Sequence, residues 1–197
     1  IIMMIFTSIY SVVDGVFVSN FAGKTAFAAV NLIMPLLIVT GAPGFMIGTG
    51  GSAIVAKTMG EDKPELANRY FSFLVCAAAV CGALVGALGA VFARPIAAAL
   101  GAEGEMLENC VLYARIILAA NPCFILQNVF QSFFVAAEKP KLGLYITVGA
   151  GLTNAALDAL LVGGLRWGVA GAALATIISQ AVGGLLPVVY FIRKNDS

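Results

Sequence analysis

Six apolar runs separated by short polar segments organise the chain, at about residues 1–21, 27–56, 70–93, 110–136, 142–163 and 169–192. A helix rising 1.5 Å per residue needs roughly 20 residues to cross a hydrocarbon core of about 30 Å, so each run predicts one membrane-spanning helix. The second run is longer than a straight crossing requires, and Pro35, Pro43 and the glycines at 41, 44, 48, 50 and 51 predict a kink within it. The connectors carry their own signals. Gly60–Arg69, with five charges and a helix-start signal at Pro64, predicts a loop bearing a short surface helix. Arg94–Glu108 contains an Arg-Pro step, a breaker at Gly101 and three glutamates, which predicts a loop whose first part lies along the membrane interface. Glu138–Lys141 leaves room only for a tight turn.

Composition agrees with that pattern: 61% hydrophobic and 11% charged residues, with a mean hydropathy of +1.01, lie far from a soluble globular domain. The expected fold is therefore all-α, a polytopic membrane protein in which residues 1–197 form a single six-helix transmembrane lobe with the lipid bilayer as its solvent. A net charge of +1 gives no reason to expect a nucleic-acid partner. The basic residues are unevenly distributed. With the N-terminus in the cytoplasm, one side collects Lys57, Lys63, Arg69, Lys139, Lys141, Arg193 and Lys194, and the other only Lys24, Arg94 and Arg166. That asymmetry predicts both chain ends on the cytoplasmic side of the membrane.

Several other features read as structural. Cys76, Cys81, Cys110 and Cys123 lack metal-ligand spacing and the chain has no histidine, so they are expected to pack as small apolar residues. The Gly48–Ala53 glycine pattern lies inside an apolar run and follows no strand, which argues against a nucleotide site. The steps Gly44/Gly48 and Gly82/Gly86 predict close helix packing. Trp167, beside Arg166, suits an interfacial anchor. No nucleophile has an adjacent base and no cofactor motif occurs, so an enzyme is not expected, and neither is a cofactor. The absence of an initiator Met predicts a fragment that begins inside or just before its first helix.

Chemistry concentrates on two carboxylates, Asp14 and Asp158, which lie inside apolar runs while the other eight acidic residues lie in connectors or the C-terminal tail. A charge at the bilayer centre costs on the order of 2.5 to 3.5 kcal/mol even on insertion scales, so such residues face a cavity or a partner. Neighbouring polar residues fall on helical stripes: Thr147, Asn154 and Asp158; Thr176, Ser179 and Gln180; Asn128, Gln131 and Ser132; Tyr10, Ser11 and Asp14. The economical arrangement points all four stripes at one interior. No Lys or Arg sits at matching depth, so each carboxyl must be protonated, share a cation or meet water. Carboxylate, amide and hydroxyl oxygens are ligands a hard cation prefers, which makes the cluster an exchange site for H+ or Na+. The competing reading is that the amides and hydroxyls only hydrogen-bond neighbouring helices.

The segments SVVDGVFVSNFAG, FAAVNLIMP, GTGGSAIVAKTMGEDK, NVFQSFF, EKPK, TNAALDALLV and GVAGAALATIISQ, in this order, resemble the N-terminal lobe of multidrug and toxic compound extrusion transporters, closest in flavour to the DinF-like or MepA-like branch. The resemblance runs nearly end to end. It implies one lobe of a twelve-helix antiporter that exports cationic, amphipathic compounds in exchange for Na+ or H+, with no other cofactor. It also implies a missing C-terminal lobe, or a second half-length chain, as partner. Carried over by motif, the coupling residues would be Asp14, Asn128, Asn154, Asp158 and Thr176, with Na+ held at Asp14, Asn154, Asp158 and Thr176. Tyr10, Ser11, Gln131, Thr147, Ser179 and Gln180 would line the cavity. A lipid-linked oligosaccharide flippase of the same superfamily and a non-transporting membrane scaffold subunit are the alternatives.

Overall fold

A computed structural model describes residues 1–193. Lys194, counted above with the basic side, lies outside the described residues. The described chain is a bundle of helices: α1 (Ile2–Phe17, continued by π-helical Val18–Ala22), α2 (Lys24–Gly60), α3 (Pro64–Val91), α4 (Ala93–Ala99), α5 (Gly104–Ala119), α6 (Asn121–Ala136), α7 (Pro140–Leu157, continued by π-helical Asp158–Gly164) and α8 (Gly168–Ile192). Among the described residues, five helical segments are long and apolar enough to cross a membrane, and the bent pair α5 and α6 makes a sixth.

Turn chemistry sets the boundaries. Gly23, at φ 97°, ends the first span and admits α2. Pro64 and Pro140 each open a helix, a position where a missing N–H costs nothing. The turns before them reverse through Asp62 and Glu138, both at φ 57°. The surface helix expected over Gly60–Arg69 is instead the start of the third span: the turn is only Glu61–Lys63, and α3 already runs from Pro64. α4 takes the place expected for the interfacial segment, and an ion pair between Arg94 and Glu108 ties it to α5.

α2 is one helix of 37 residues with Pro35 and Pro43 inside it. The pronounced break lies in the fourth span, which the sequence pattern reads as a single run. There α5 and α6 meet at Ala120 and bend by 58°. Pro122 lacks the N–H that would continue the ladder, and its ring disfavours the helical conformation of the residue before it. Asn121 occupies that position and donates from Nδ2 to the Gly82 carbonyl at 3.1 Å.

Small residues seat the break. A Cβ on Gly82 would lie 2.8 Å from Pro122 Cα, and one on Gly86 would lie 2.4 Å from the Leu118 carbonyl oxygen. On α2, Gly44 and Gly48 bring the backbone against Ile125 and Val129 of α6. Both glycine steps therefore serve packing within the bundle, as close approach of small residues does between membrane helices. At one end Phe71, Phe130, Phe133, Phe134, Tyr190 and Phe191 form an aromatic cluster joining α3, α6 and α8. Lys139 caps it, donating to the Tyr190 hydroxyl at 2.8 Å.

Candidate cation and substrate site

α1 packs along α7, and Gly151 makes the approach possible: a Cβ there would lie 3.1 Å from the Tyr10 ring. That contact brings the stripe of Tyr10 and Asp14 against the stripe of Gly151, Asn154 and Asp158. The side chains of Asp14 and Asp158 come within hydrogen-bonding reach of each other. Asp158 has no solvent exposure, and it stands where α7 passes into its π-helical continuation. Two π-helical segments, one beginning four residues after Asp14 and one at Asp158, pack on each other. Such turns occur often at functional sites because they displace the ordinary side-chain register.

Asp14 lies in the wall of a cavity of about 570 Å³ lined by α1, α2, α5, α6, α7 and α8. Its polar lining comprises Tyr10, Ser11, Asp14, Thr40, Tyr113, Asn121, Gln127, Asn128, Gln131, Asn154, Thr176 and Gln180, together with Thr7 and Ser8. Met4, Met34, Ile38, Phe45 and Phe124 supply apolar surface. Asp158 lies behind Asp14 and does not line the open space. Among the described residues, Asp14 is the one ionisable carboxyl in the lining, and no Lys or Arg contributes to it.

Hydrogen bonding in the site is unbalanced. Asp14 Oδ1, Asp158 Oδ1 and Oδ2, Asn154 Oδ1 and Gln180 Oε1 are buried without a donor among the described residues, and Asn128 Nδ2 is buried without an acceptor. Buried polar atoms are rarely left so, and an orphaned group in a native structure calls for an explanation. Five of these six atoms are oxygens, the donor set of a hard cation or of a proton shared between carboxyls. Thr176 donates its hydroxyl to the Ala172 carbonyl at 3.0 Å, so its oxygen is left to accept, and the Tyr113 phenol is within hydrogen-bonding reach of it.

The structure thus gathers Asp14, Asn128, Asn154, Asp158 and Thr176 around one region, with Tyr10, Ser11, Gln131 and Gln180 in the cavity wall. Two expected lining residues are elsewhere. Ser179 is buried and donates to the Thr176 carbonyl at 2.8 Å on its own helix. Thr147 donates to the Gly143 carbonyl at 2.9 Å and faces a smaller pocket between α6, α7 and α8. Periodicity places a residue on a stripe about a third of the helix wide; neighbouring helices decide which edge of that stripe is open. Tyr113, Asn121 and Gln127 belong to the wall and were not anticipated. Their signal is present, since Tyr113 and Asn121 are eight residues apart and Gln127 precedes Gln131 by four on the same helix; the break at Ala120 hides the first spacing by putting Tyr113 on a different helix from Asn121.

A family model for MatE matches residues 1–160. The chain belongs to the MatE family. Over 192 residues it is 31% identical to the multidrug export protein MepA of Staphylococcus haemolyticus, covering 96% of this chain and 42% of that protein. It is 27% identical over 188 residues to the MepA protein of Staphylococcus saprophyticus, again covering 42% of the relative. Among solved structures, an outward-facing multidrug resistance MATE family transporter of the MOP superfamily matches all of this chain with a TM-score of 0.90 and 27% identity, over 43% of its own length. An inward-facing conformation of such a transporter matches 95% of the chain with a TM-score of 0.89 and 26% identity, over 42% of its length. The chain spans about two fifths of the length of the relatives it matches. The near-equal likeness to both conformations means that the internal arrangement of this lobe fits either state.

Proposed function

We propose that this MatE-family chain is the N-lobe of a cation-coupled multidrug efflux antiporter that exports cationic, amphipathic compounds by alternating access. The observation that carries the reading is the contact between Asp14 and Asp158 beside an amide-rich cavity with no basic residue in its lining. Two neighbouring carboxylates in a low-dielectric interior cannot both remain ionised unless a cation stands between them, and otherwise they share a proton. The oxygens of Asp14, Asn154, Asp158 and Thr176 would hold Na+, and a shared proton would satisfy the same pair. Asn128 would orient the amide wall next to them. The aromatic and thioether surface of Tyr10, Phe45, Phe124, Met4 and Met34 suits the apolar part of a lipophilic cation, with Asp14 facing its charge.

Coupling requires that the ion bind the two conformations of the whole transporter unequally, since a ligand of equal affinity shifts nothing. Ion entry at Asp14 and Asp158 from outside neutralises the charge that attracts the drug, so the drug leaves. Rocking of this lobe against its partner lobe then presents the ion to the cytoplasm, where it dissociates. The supporting observation is the likeness of this lobe to both facing states, which suits motion as a unit. A flippase handling a pyrophosphate would be served by basic side chains, and among the described residues none lines this cavity. In the full-length transporter reconstituted in proteoliposomes, Asp158→Asn is expected to abolish drug efflux driven by an imposed Na+ or proton gradient, with expression and insertion retained. Undiminished efflux by the variant overturns the assignment, and the gradient that drives the wild type identifies the ion.

A further inference from the structure

A second, much smaller pocket lies between α6, α7 and α8, lined by Gln127, Gln131, Thr147, Gly183 and Pro187 against the rings of Phe130 and Phe134. Its volume is about 10 Å³, close to the space of a single water molecule's centre and too small for a drug-like compound. It adjoins the main cavity, because Gln127 and Gln131 line both.

Polar groups converge on it for independent reasons. Pro187 lies inside α8 and has no N–H, so it cannot donate to the carbonyl of Gly183 four residues earlier. Helix carbonyls point toward the C-terminus, so this one is aimed along α8 at Pro187, and both residues line the pocket. Gly183 and Pro187 are buried, which keeps bulk water from a carbonyl that Pro187 leaves without its usual helix donor. Thr147, 4% exposed, spends its single hydroxyl proton on the Gly143 carbonyl, and its nearest side-chain donor, Gln131 Nε2, stands at a long 3.5 Å. The Gln127 amide is pressed against Gly183, where a Cβ would meet its Nε2 at 2.8 Å.

We propose that this pocket is a binding site for one ordered water molecule. The water donates one proton to the Gly183 carbonyl and the other to Thr147 Oγ1, and it accepts from the amide of Gln127 or Gln131. The site thereby supplies the bond that Pro187 withholds from α8, as ordered water does at prolines in membrane helices. It also fixes the orientation of Gln127 and Gln131, two residues that line the main cavity as well. Water fits better than a metal ion because every ligand is neutral, and among the described residues no carboxyl lines the pocket.

The test is a structure of the full-length protein from lipidic-mesophase crystals at better than about 2 Å, a resolution at which waters with three partners are ordered. The expected result is a density peak within about 3.2 Å of both the Gly183 oxygen and Thr147 Oγ1. Anomalous scattering from Rb+ or Tl+ soaked in place of Na+ should be absent there, and its presence would make the site a cation site and overturn the proposal. In Thr147→Val, which keeps the side-chain shape, the peak should weaken by half or more. In Gly183→Ala, whose methyl fills the space, it should vanish and the Gln127 amide should rotate. An empty pocket in the wild type, or a direct bond from the Gln127 amide to the Gly183 carbonyl, overturns the assignment whether or not the protein transports drugs.

Discussion

Asp158 is held in place by backbone, because it closes α7 and opens the π-helical segment that follows, while its carboxyl has Asp14 as its polar neighbour. Tyr113 and Thr176 sit one layer away as neutral groups that orient the site. Replacing Tyr113 with Phe removes the phenol that reaches the Thr176 oxygen. The expected loss is about 0.5 to 1.5 kcal/mol of stability, the usual net worth of one hydrogen bond, read as a lower melting midpoint in detergent. On the proposed function, the same variant should also bind Na+ or H+ more weakly, because the Thr176 oxygen then lacks an orienting partner. An unchanged midpoint and an unchanged ion affinity together would remove Tyr113 from the site.

At the scale of elements, the bend between α5 and α6 is what lets Tyr113 of one helix and Asn128 of the next face the same cavity. The bend rests on Asn121 and Pro122 seated against the glycines of α3. Gly86→Ala pushes a methyl into the Leu118 carbonyl, a backbone atom with little freedom to retreat, and overpacking of this kind costs about 1 to 3 kcal/mol. Gly50 on α2 has nothing within 4 Å of its would-be Cβ. Gly50→Ala should therefore stabilise the protein, because alanine is better by about 0.8 to 1 kcal/mol in a helix interior. The measurement is reversible unfolding of each single variant in the same detergent. Equal effects of the two substitutions would contradict the packing described for the bend.

The whole molecule leaves one side of its cavity to apolar residues that face outward, including Met4, Ile38 and Phe45 at 75%, 67% and 56% exposure. The uneven distribution of basic residues gives an expected orientation in the membrane. A cysteine placed at Glu138, beside Lys139 and Lys141, is expected to react with a membrane-impermeant thiol reagent only from the cytoplasm, and one placed at Arg166 only from outside. Labelling is read in a background without the native cysteines, in intact cells and in inverted vesicles. The reverse pattern would invert the direction of ion entry given above.

The sequence by itself determined the all-α membrane class, most span positions, the family and the identity of the costly carboxylates. Each of these follows from local information: the cost of placing polar groups in lipid and the 3.6-residue period act along one helix at a time. Tertiary structure decided what required two helices at once. It set the contact of Asp14 with Asp158 through Gly151, the bend that adds Tyr113 and Asn121 to the wall, and the exclusion of Thr147 and Ser179 from the cavity. The physical reason is that a stripe on one helix is wider than the space its neighbours leave open. Which side chains meet the cavity therefore depends on small residues and breaks that set the distance and rotation between helices.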